Sequence, residues 1–190
     1  MRRLNGGALP LRPSGSAIGP PHSARLVAEV PDPDLHLHFA AEQLGDPEVA
    51  RWHWPEHLGG PRTREQVREI LVQQATQWKE AHLCWWWWRE RETGELIGMT
   101  GLNRSQVEEE AVIEIGWSLP TANHGRGFAS EMAAASVAWG LGVRGLGRIV
   151  AFTMPENERS RAVMQRVGMV YVRDFTRKGF PQVLYEITAG

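Results

Sequence analysis

One stretch in the middle of the chain restricts the fold more than any other: an alternating strand that runs into a glycine loop, which then opens a helix. Val112, Glu114, Gly116 and Ser118 alternate with Ile113, Ile115, Trp117 and Leu119, so a strand here turns an apolar row to one side and carries the Glu114 carboxylate on the other. Pro120 ends it, His124 and Gly125-Arg126-Gly127 follow, and Phe128-Ala129-Ser130-Glu131 begins an alanine-rich helix. A strand that passes directly to a helix points to a sheet with helices packed on it. The glycines let backbone approach a ligand closely, and the first N–H groups of the helix lack intrahelical partners, a combination that binds phosphate. An ordinary strand-to-helix turn needs the same glycines for its backbone angles, and from this stretch alone both readings stand.

The flanking sequence supplies the rest of the sheet. Residues 25–30 predict a first strand, and Asp34 is placed to cap a helix over residues 35–44. Thr63 and Gln66 form a capping-box signature ahead of Val67, Ile70, Leu71, Ala75 and Trp78, which step by three or four along one helix face. Beyond His82 the period falls to two. Residues 83–91 and 95–102 flank Glu92-Thr93-Gly94 as a hairpin, and residues 103–110 read as a connection to the strand over 111–119. After the helix over 128–139 come a strand at 148–153, a helix at 158–167 closed by Gly168, and final strands at 169–175 and 180–187. The order is βααβββαβαββ, a mixed α/β sheet, and 190 residues suit one domain. Residues 1–24 hold no acidic residue and are broken by Gly and Pro, so they are expected to form a disordered tail before a domain over 25–190.

Several functions are disfavoured. A formal net charge of −1, from 21 Lys+Arg and 22 Asp+Glu, offers no long-range attraction to nucleic acid. No apolar run nears the ~20 residues of a membrane helix, and the N-terminus lacks a signal-peptide pattern, so a cytoplasmic location without membrane attachment is expected. The single cysteine, Cys84, excludes disulfide frameworks and multi-thiolate metal sites and reads as a buried strand thiol. Pro55 interrupts His53 and His57 as a helical pair, and His36-x-His38 has no nearby cysteine, so no metal is expected. Gly140-x-Gly142-x-x-Gly145 matches a dinucleotide-binding pattern but follows a helix and precedes a strand, the wrong order for a phosphate cradle.

A second motif lies 30 residues beyond the first: Asn157, placed as an N-cap, then Ser160 in the first helical turn, and Gly168-Met169 after the helix. The pair of motifs resembles the GNAT superfamily of N-acetyltransferases, and within it the RimJ/RimL-type branch that acetylates ribosomal-protein N-termini. The family pattern Gln/Arg-x-x-Gly-x-Gly/Ala is met by Gly127 and Ala129, with His124 at its first position; Asn-x-x-Ser/Ala is met by Asn157 and Ser160. The resemblance covers roughly residues 25–188, and Glu95-Leu96-Ile97-Gly98 and Glu114-Ile115-Gly116-Trp117 look like this branch's hairpin and fourth strand.

The resemblance implies a single, mostly antiparallel mixed sheet flanked by helices, with a V-shaped opening between strands 4 and 5 that takes acetyl-CoA as co-substrate. Pantetheine would bond the backbone of Trp117, Ser118 and Leu119. The pyrophosphate would rest on the loop from His124 through Gly125, Arg126, Gly127, Phe128, Ala129 and Ser130, with Arg126 offering a cation. Asn157 and Ser160 would meet the pantetheine and thioester end. The acceptor, a protein N-terminus or small amine, attacks directly; Glu114 is the candidate base and Ser160 or water the acid, since Met164 stands where many relatives carry a tyrosine. The helices before the hairpin would form the acceptor side, where Trp52 and Trp54 read as packing residues that could border it. The rivals are a non-catalytic acyl-CoA-binding protein of this fold and a transferase of a longer acyl group. Either a monomer or a homodimer fits.

Overall fold

The computed structural model describes residues 18–53 and 59–190. Asp32 caps the first helix in place of the expected Asp34: its carboxylate accepts the N–H groups of Asp34 and Leu35, and Pro33 takes a first-turn position where a missing N–H is harmless. Helix α1 (Pro33–Gly45) is followed by an unexpected short helix, α2 (Pro47–His53), too brief to show a periodic signal. Helix α3 (Arg64–Ala81) begins on the expected capping box: Gln66 N–H donates to Thr63 Oγ1 at 3.3 Å, and Thr63 N–H to Gln66 Oε1 at 2.9 Å.

The strands are β1 (Leu26–Glu29), β2 (Trp85–Glu90), β3 (Leu96–Val107), β4 (Glu110–Ser118), β5 (Arg148–Thr153), β6 (Val170–Arg177) and β7 (Phe180–Thr188), with α4 (Phe128–Ala138) and α5 (Glu158–Arg166) between β4 and β6. Residues 103–107, a connection by composition, continue β3, because their backbone pairs with β4 out to Val107↔Glu110 and leaves only Glu108 and Glu109 as the turn. Cross-strand pairing here outweighs the low strand propensity of Asn103, Arg104, Ser105 and Gln106. The seven strands form one sheet in the order β1-β2-β3-β4-β5-β7-β6, antiparallel except for β4 and β5.

Both faces of the sheet are covered. Trp86, Trp88, Ile113 and Ile115 pack with Phe128 and Met132 of α4 and Met164 of α5, whereas Trp87 and Met99 pack with Leu37 and Leu44 of α1 and Val67 and Leu71 of α3. Successive tryptophans thus serve opposite layers, as strand alternation requires. At 0 % exposure, each of Trp86, Trp87 and Trp88 contributes roughly 4–6 kcal/mol of gross apolar burial, an upper figure on an extended-chain reference. Trp88 Nε1 donates to Thr100 Oγ1 at 2.9 Å, and Thr100 shares a 2.8 Å hydrogen bond with Ser136 of α4, so this polar contact also fastens helix to sheet. Cys84 lies in the core, where burial drives its thiol pKa far up, so it is an inert packing group.

The tail expectation needs correction over its last part; residues 1–17 lie outside the described residues. Ile18 packs against the main core, Pro21 is buried and accepts the Ala28 N–H at 3.1 Å, and the Gly19 carbonyl accepts Trp139 Nε1–H at 2.9 Å. These partners lie far along the chain, so composition could not announce them. Gly140, part of the dinucleotide-like pattern, has a packing reason instead: a Cβ there would come within 2.8 Å of Ile149 and Leu102 methyl groups. Among the described residues no helix is long and apolar enough to cross a membrane, and no group of three or more His, Cys, Asp or Glu is gathered for a metal.

Candidate functional site

Strands β4 and β5 run parallel but share one paired position, Glu114↔Val150. Beyond it, β4 stays with β3 as far as Met99↔Ser118, while β5 stays with β7 as far as Thr153↔Val183. Past that position, toward their C-terminal ends, β4 and β5 no longer pair with each other, and this is the side on which parallel sheets bind ligands. Glu114 stands at the vertex. Burial raises its carboxyl pKa above the ordinary 4.5, against the lowering effects of a hydrogen bond with Ser105 and the charge of Arg177. Along the β4 wall the side chains of Ser118 and Leu119 are buried and that of Trp117 is half-buried, leaving backbone to face the opening.

A polar cradle follows directly. Gly125 and Gly127 have φ of 75° and 80°, left-handed values that turn the chain into α4, and Gly127 occupies the N-cap without any side-chain cap. A Cβ at Gly125 would meet nothing within 4 Å, so the loop is open above its backbone. The uncapped first turn leaves N–H groups available to an anion. Phe128 contributes only backbone, since its side chain is buried and anchors the helix, while Ala129 and Ser130 are half-buried. Arg126, expected to offer the pyrophosphate a cation, has its Nη2 3.3 and 3.4 Å from the Glu90 carboxylate oxygens and its guanidinium over Phe128 at 4.4 Å. Arg25, absent from the sequence expectation, covers the same ring at 4.9 Å and is held by Glu131, with Nε donating at 2.7 Å.

Two residues fasten the far wall. Asn157 caps α5, accepting the Ser160 N–H at 3.2 Å and donating through Nδ2 to Thr153 Oγ1 at 3.0 Å, so its side chain joins the end of β5 to the helix. Ser160 is half-buried in the first turn. His124 accepts from Arg159 at Nδ1, 3.3 Å, which puts the proton on Nε2 and lets it donate to the Leu119 carbonyl at 3.2 Å. It thereby ties the end of β4 to α5. Met164 is 1 % exposed in the core, which fits its lack of a proton to give.

On the face that carries Glu114, α2 delivers a histidine that sequence reasoning treated only as a failed metal ligand. His53 is hydrogen-bonded to the Trp117 backbone and stands edge-on to Trp85 at 6.0 Å; burial lowers its pKa to about 4, the backbone bond acting in the opposite direction. No periodicity announces α2, so nothing in the sequence could have placed this ring. Trp85 lies over Gly116, where any Cβ would collide with the indole. Trp52 is half-buried under Arg51, whose guanidinium sits 4.5 Å from its ring; Trp54 and His57 lie outside the described residues.

Comparison with known proteins agrees with this geometry. A family model described as acetyltransferase (GNAT) domain matches residues 25–170. The chain belongs to the GNAT acetyltransferase family. This acetyltransferase is 28% identical over 143 residues to the uncharacterized protein YkkB of Bacillus subtilis (strain 168), covering 75% of the present chain and 80% of YkkB. Its fold matches a GNAT-family acetyltransferase from Bacillus anthracis with a TM-score of 0.76 at 23% identity, covering 89% and 98% of the two chains. It also matches RimL, a ribosomal L7/L12 α-N-protein acetyltransferase solved with coenzyme A, with a TM-score of 0.71 at 17% identity over 88% and 96%. The GNAT chain is thus an acyltransferase, and acyl transfer to an amine is the chemistry its site has to explain.

Proposed function

We propose that the protein transfers an acetyl group from acetyl-CoA to a primary amine, a peptide N-terminus or a small amine, by direct attack with both substrates bound. One observation carries this reading: β4 and β5 stop pairing at a half-buried carboxylate, Glu114, and β4 then leads through a left-handed glycine loop into a helix whose first turn carries no side-chain cap. The residues fit the co-substrate. Backbone N–H groups of residues 127–130 suit a pyrophosphate, the β5-facing edge of β4 at Trp117, Ser118 and Leu119, where no strand pairs with it on that side, suits the amides of pantetheine, and Arg25 adds a cation beside the loop. When bound, acetyl-CoA supplies the activated acetyl group and a thiolate leaving group.

Glu114 accepts the amine proton, directly or through water, and its raised pKa brings it closer to a working base at neutral pH. Ser160 stands in the first turn of α5 on the β5 side, where its hydroxyl can donate to the departing thiolate. Asn157 and His124 hold the two walls in place. The family membership and the coenzyme A complex of RimL support the donor assignment.

The test measures thiol release with acetyl-CoA and a panel of amines and peptides across pH. Glu114→Gln should lower turnover by roughly 10²-fold or more with acetyl-CoA affinity nearly intact, and part of the rate should return at high pH, where solvent supplies the neutral amine. Ser160→Ala should lose about 10-fold with little high-pH rescue, because a thiolate of pKa near ~8.5 leaves tolerably without an acid. Unchanged turnover in Glu114→Gln would remove the base assignment, and no turnover of any amine by the parent would remove the reading itself.

A further inference from the structure

On the sheet face that carries Glu114, the half away from α1 and α3 has a small core of its own, Val107, Val112, Val150, Phe175 and Leu184, with Phe152 packed against it. Phe175 and Arg177 of β6 share this face by strand alternation. The Arg177 guanidinium carbon lies 4.5 Å from the centre of the Phe152 ring, and its Nη2 donates to Ser105 Oγ of β3 at 3.4 Å. In sheet order β6 stands four places from β3, roughly 19 Å if the sheet were flat and beyond the reach of an arginine side chain. The contact therefore requires this face to be concave, with Glu114 of β4 on its floor.

Ser105 is half-buried beside that carboxylate. It pairs with Val112 while Asn103 pairs with Glu114, so Ser105 and Glu114 are diagonal neighbours on one face. A hydroxyl has one proton to give and lone pairs with which to accept. With Arg177 donating to it, the Ser105 proton is directed to Glu114, and a chain runs from guanidinium through hydroxyl to carboxylate. Burial raises the Glu114 pKa, and the Ser105 hydrogen bond and the Arg177 charge act against that rise. Among the described residues Arg177 enters no direct ion pair, so no nearer carboxylate neutralises it. The other charged groups of this face are placed differently. Glu110 and Glu186 are bound to Arg148 at the N-terminal end of β5, Arg62 and Glu69 line a groove between α3 and Trp85, and His53 of α2 is neutral at pH 7.

Resting on the assignment of Glu114 as base, we propose that Arg177 and Ser105 are positioning residues for it: the guanidinium, held over Phe152, orients the Ser105 hydroxyl toward Glu114, and together they fix the carboxylate and keep it ionised. Only the ionised form can take the amine proton. The β6–β7 hairpin thus serves the chemistry from the far side of the sheet, although none of its residues has to touch donor or acceptor.

The test uses the full chain carrying ¹³C at the glutamate carboxyls, with Glu114→Gln identifying the Glu114 resonance. Its titration midpoint, followed by NMR, should move upward in Arg177→Gln and by less in Ser105→Ala, and should stay nearer the parent in Arg177→Lys, which keeps the charge. Thiol release from acetyl-CoA, with the amine that the parent uses fastest, should follow. At pH 6.5 Arg177→Gln should be slower than the parent by about 10-fold, and at pH 9 within about 3-fold, because the carboxyl ionises again as pH rises; acetyl-CoA affinity should be unchanged. Ser105→Ala removes one hydroxyl and carries the test should Arg177→Gln unfold. An unmoved Glu114 midpoint in the folded variants, or a loss of rate equal at every pH, would overturn the proposal and reduce both residues to packing. Such a result with turnover still lost in Glu114→Gln would leave the base assignment standing. A midpoint that moves while Glu114→Gln keeps full turnover would support the chain of contacts and remove Glu114 as base.

Discussion

His53 is neutral at pH 7 in the folded chain, because burial lowers its pKa from 6.5 to about 4 against the opposing bond to the Trp117 backbone. The unfolded chain restores the ordinary value, so between these limits the unfolded state holds a proton that the folded state refuses. Stability is therefore full above about 6.5 and falls as pH drops toward 4, the residue's partial exposure tempering the loss. Glu29 and Glu131 act in a lower window. The Arg89 hydrogen bond lowers the first; for the second, burial pushes upward but hydrogen bonds from Ser23 and Arg25 prevail, so both stabilise above 4.5 and lose that contribution below it. A His53→Gln variant should flatten the fall in melting temperature between pH 6.5 and 4 while keeping the decline below it. A parental profile retained in the variant would assign the first window to other groups.

At the scale of elements, the start of α4 is the proposed phosphate site, and among the described residues no side chain caps it. Gly127→Glu places a carboxylate at that N-cap, opposite the phosphates, and forces a non-glycine residue to φ of 80°. Acetyl-CoA affinity should fall by roughly 10²-fold or more, and the melting temperature by a few degrees. The fold should survive, since the nearest atom to a Cβ there is Arg25 Nη2 at 3.8 Å. Gly127→Asn, better suited to the left-handed region, separates strain from charge: it should keep most of the affinity. Equal affinity in parent and folded Gly127→Glu, measured by calorimetry, would place the phosphates elsewhere.

For the whole molecule, residues 18–25 act as a strap across the α4 side of the sheet. Ser23 donates to Glu131 at 2.7 Å, Arg25 pairs with the same carboxylate, and Gly19 accepts from Trp139. A chain beginning at Ser23 loses Ile18, the buried Pro21 and the Trp139 hydrogen bond, and should melt lower than a chain beginning at Ile18 by roughly 4 °C or more. Acetyl-CoA affinity should change little, because Arg25 and the glycine loop remain. Identical melting curves for the two chains would show that the strap contributes no stability.

What the sequence determined by itself is local. The capping box at Thr63, the cap at Asn157, the alternation around Glu114 and the glycine turn into α4 are each decided by a few neighbouring residues, and each stands where it was expected. The α2 helix, the extra length of β3, the contact of Arg126 with Glu90 and the Arg25 contacts were not legible, because each depends on partners distant in sequence or on a strand pairing that overrides propensity. The same holds for the opening itself. Nothing in the residues of β4 or β5 says that their pairing ends at Glu114; that is decided by the register of the whole sheet, which matches β4 to β3 and β5 to β7 over their lengths and leaves β4 and β5 one shared position.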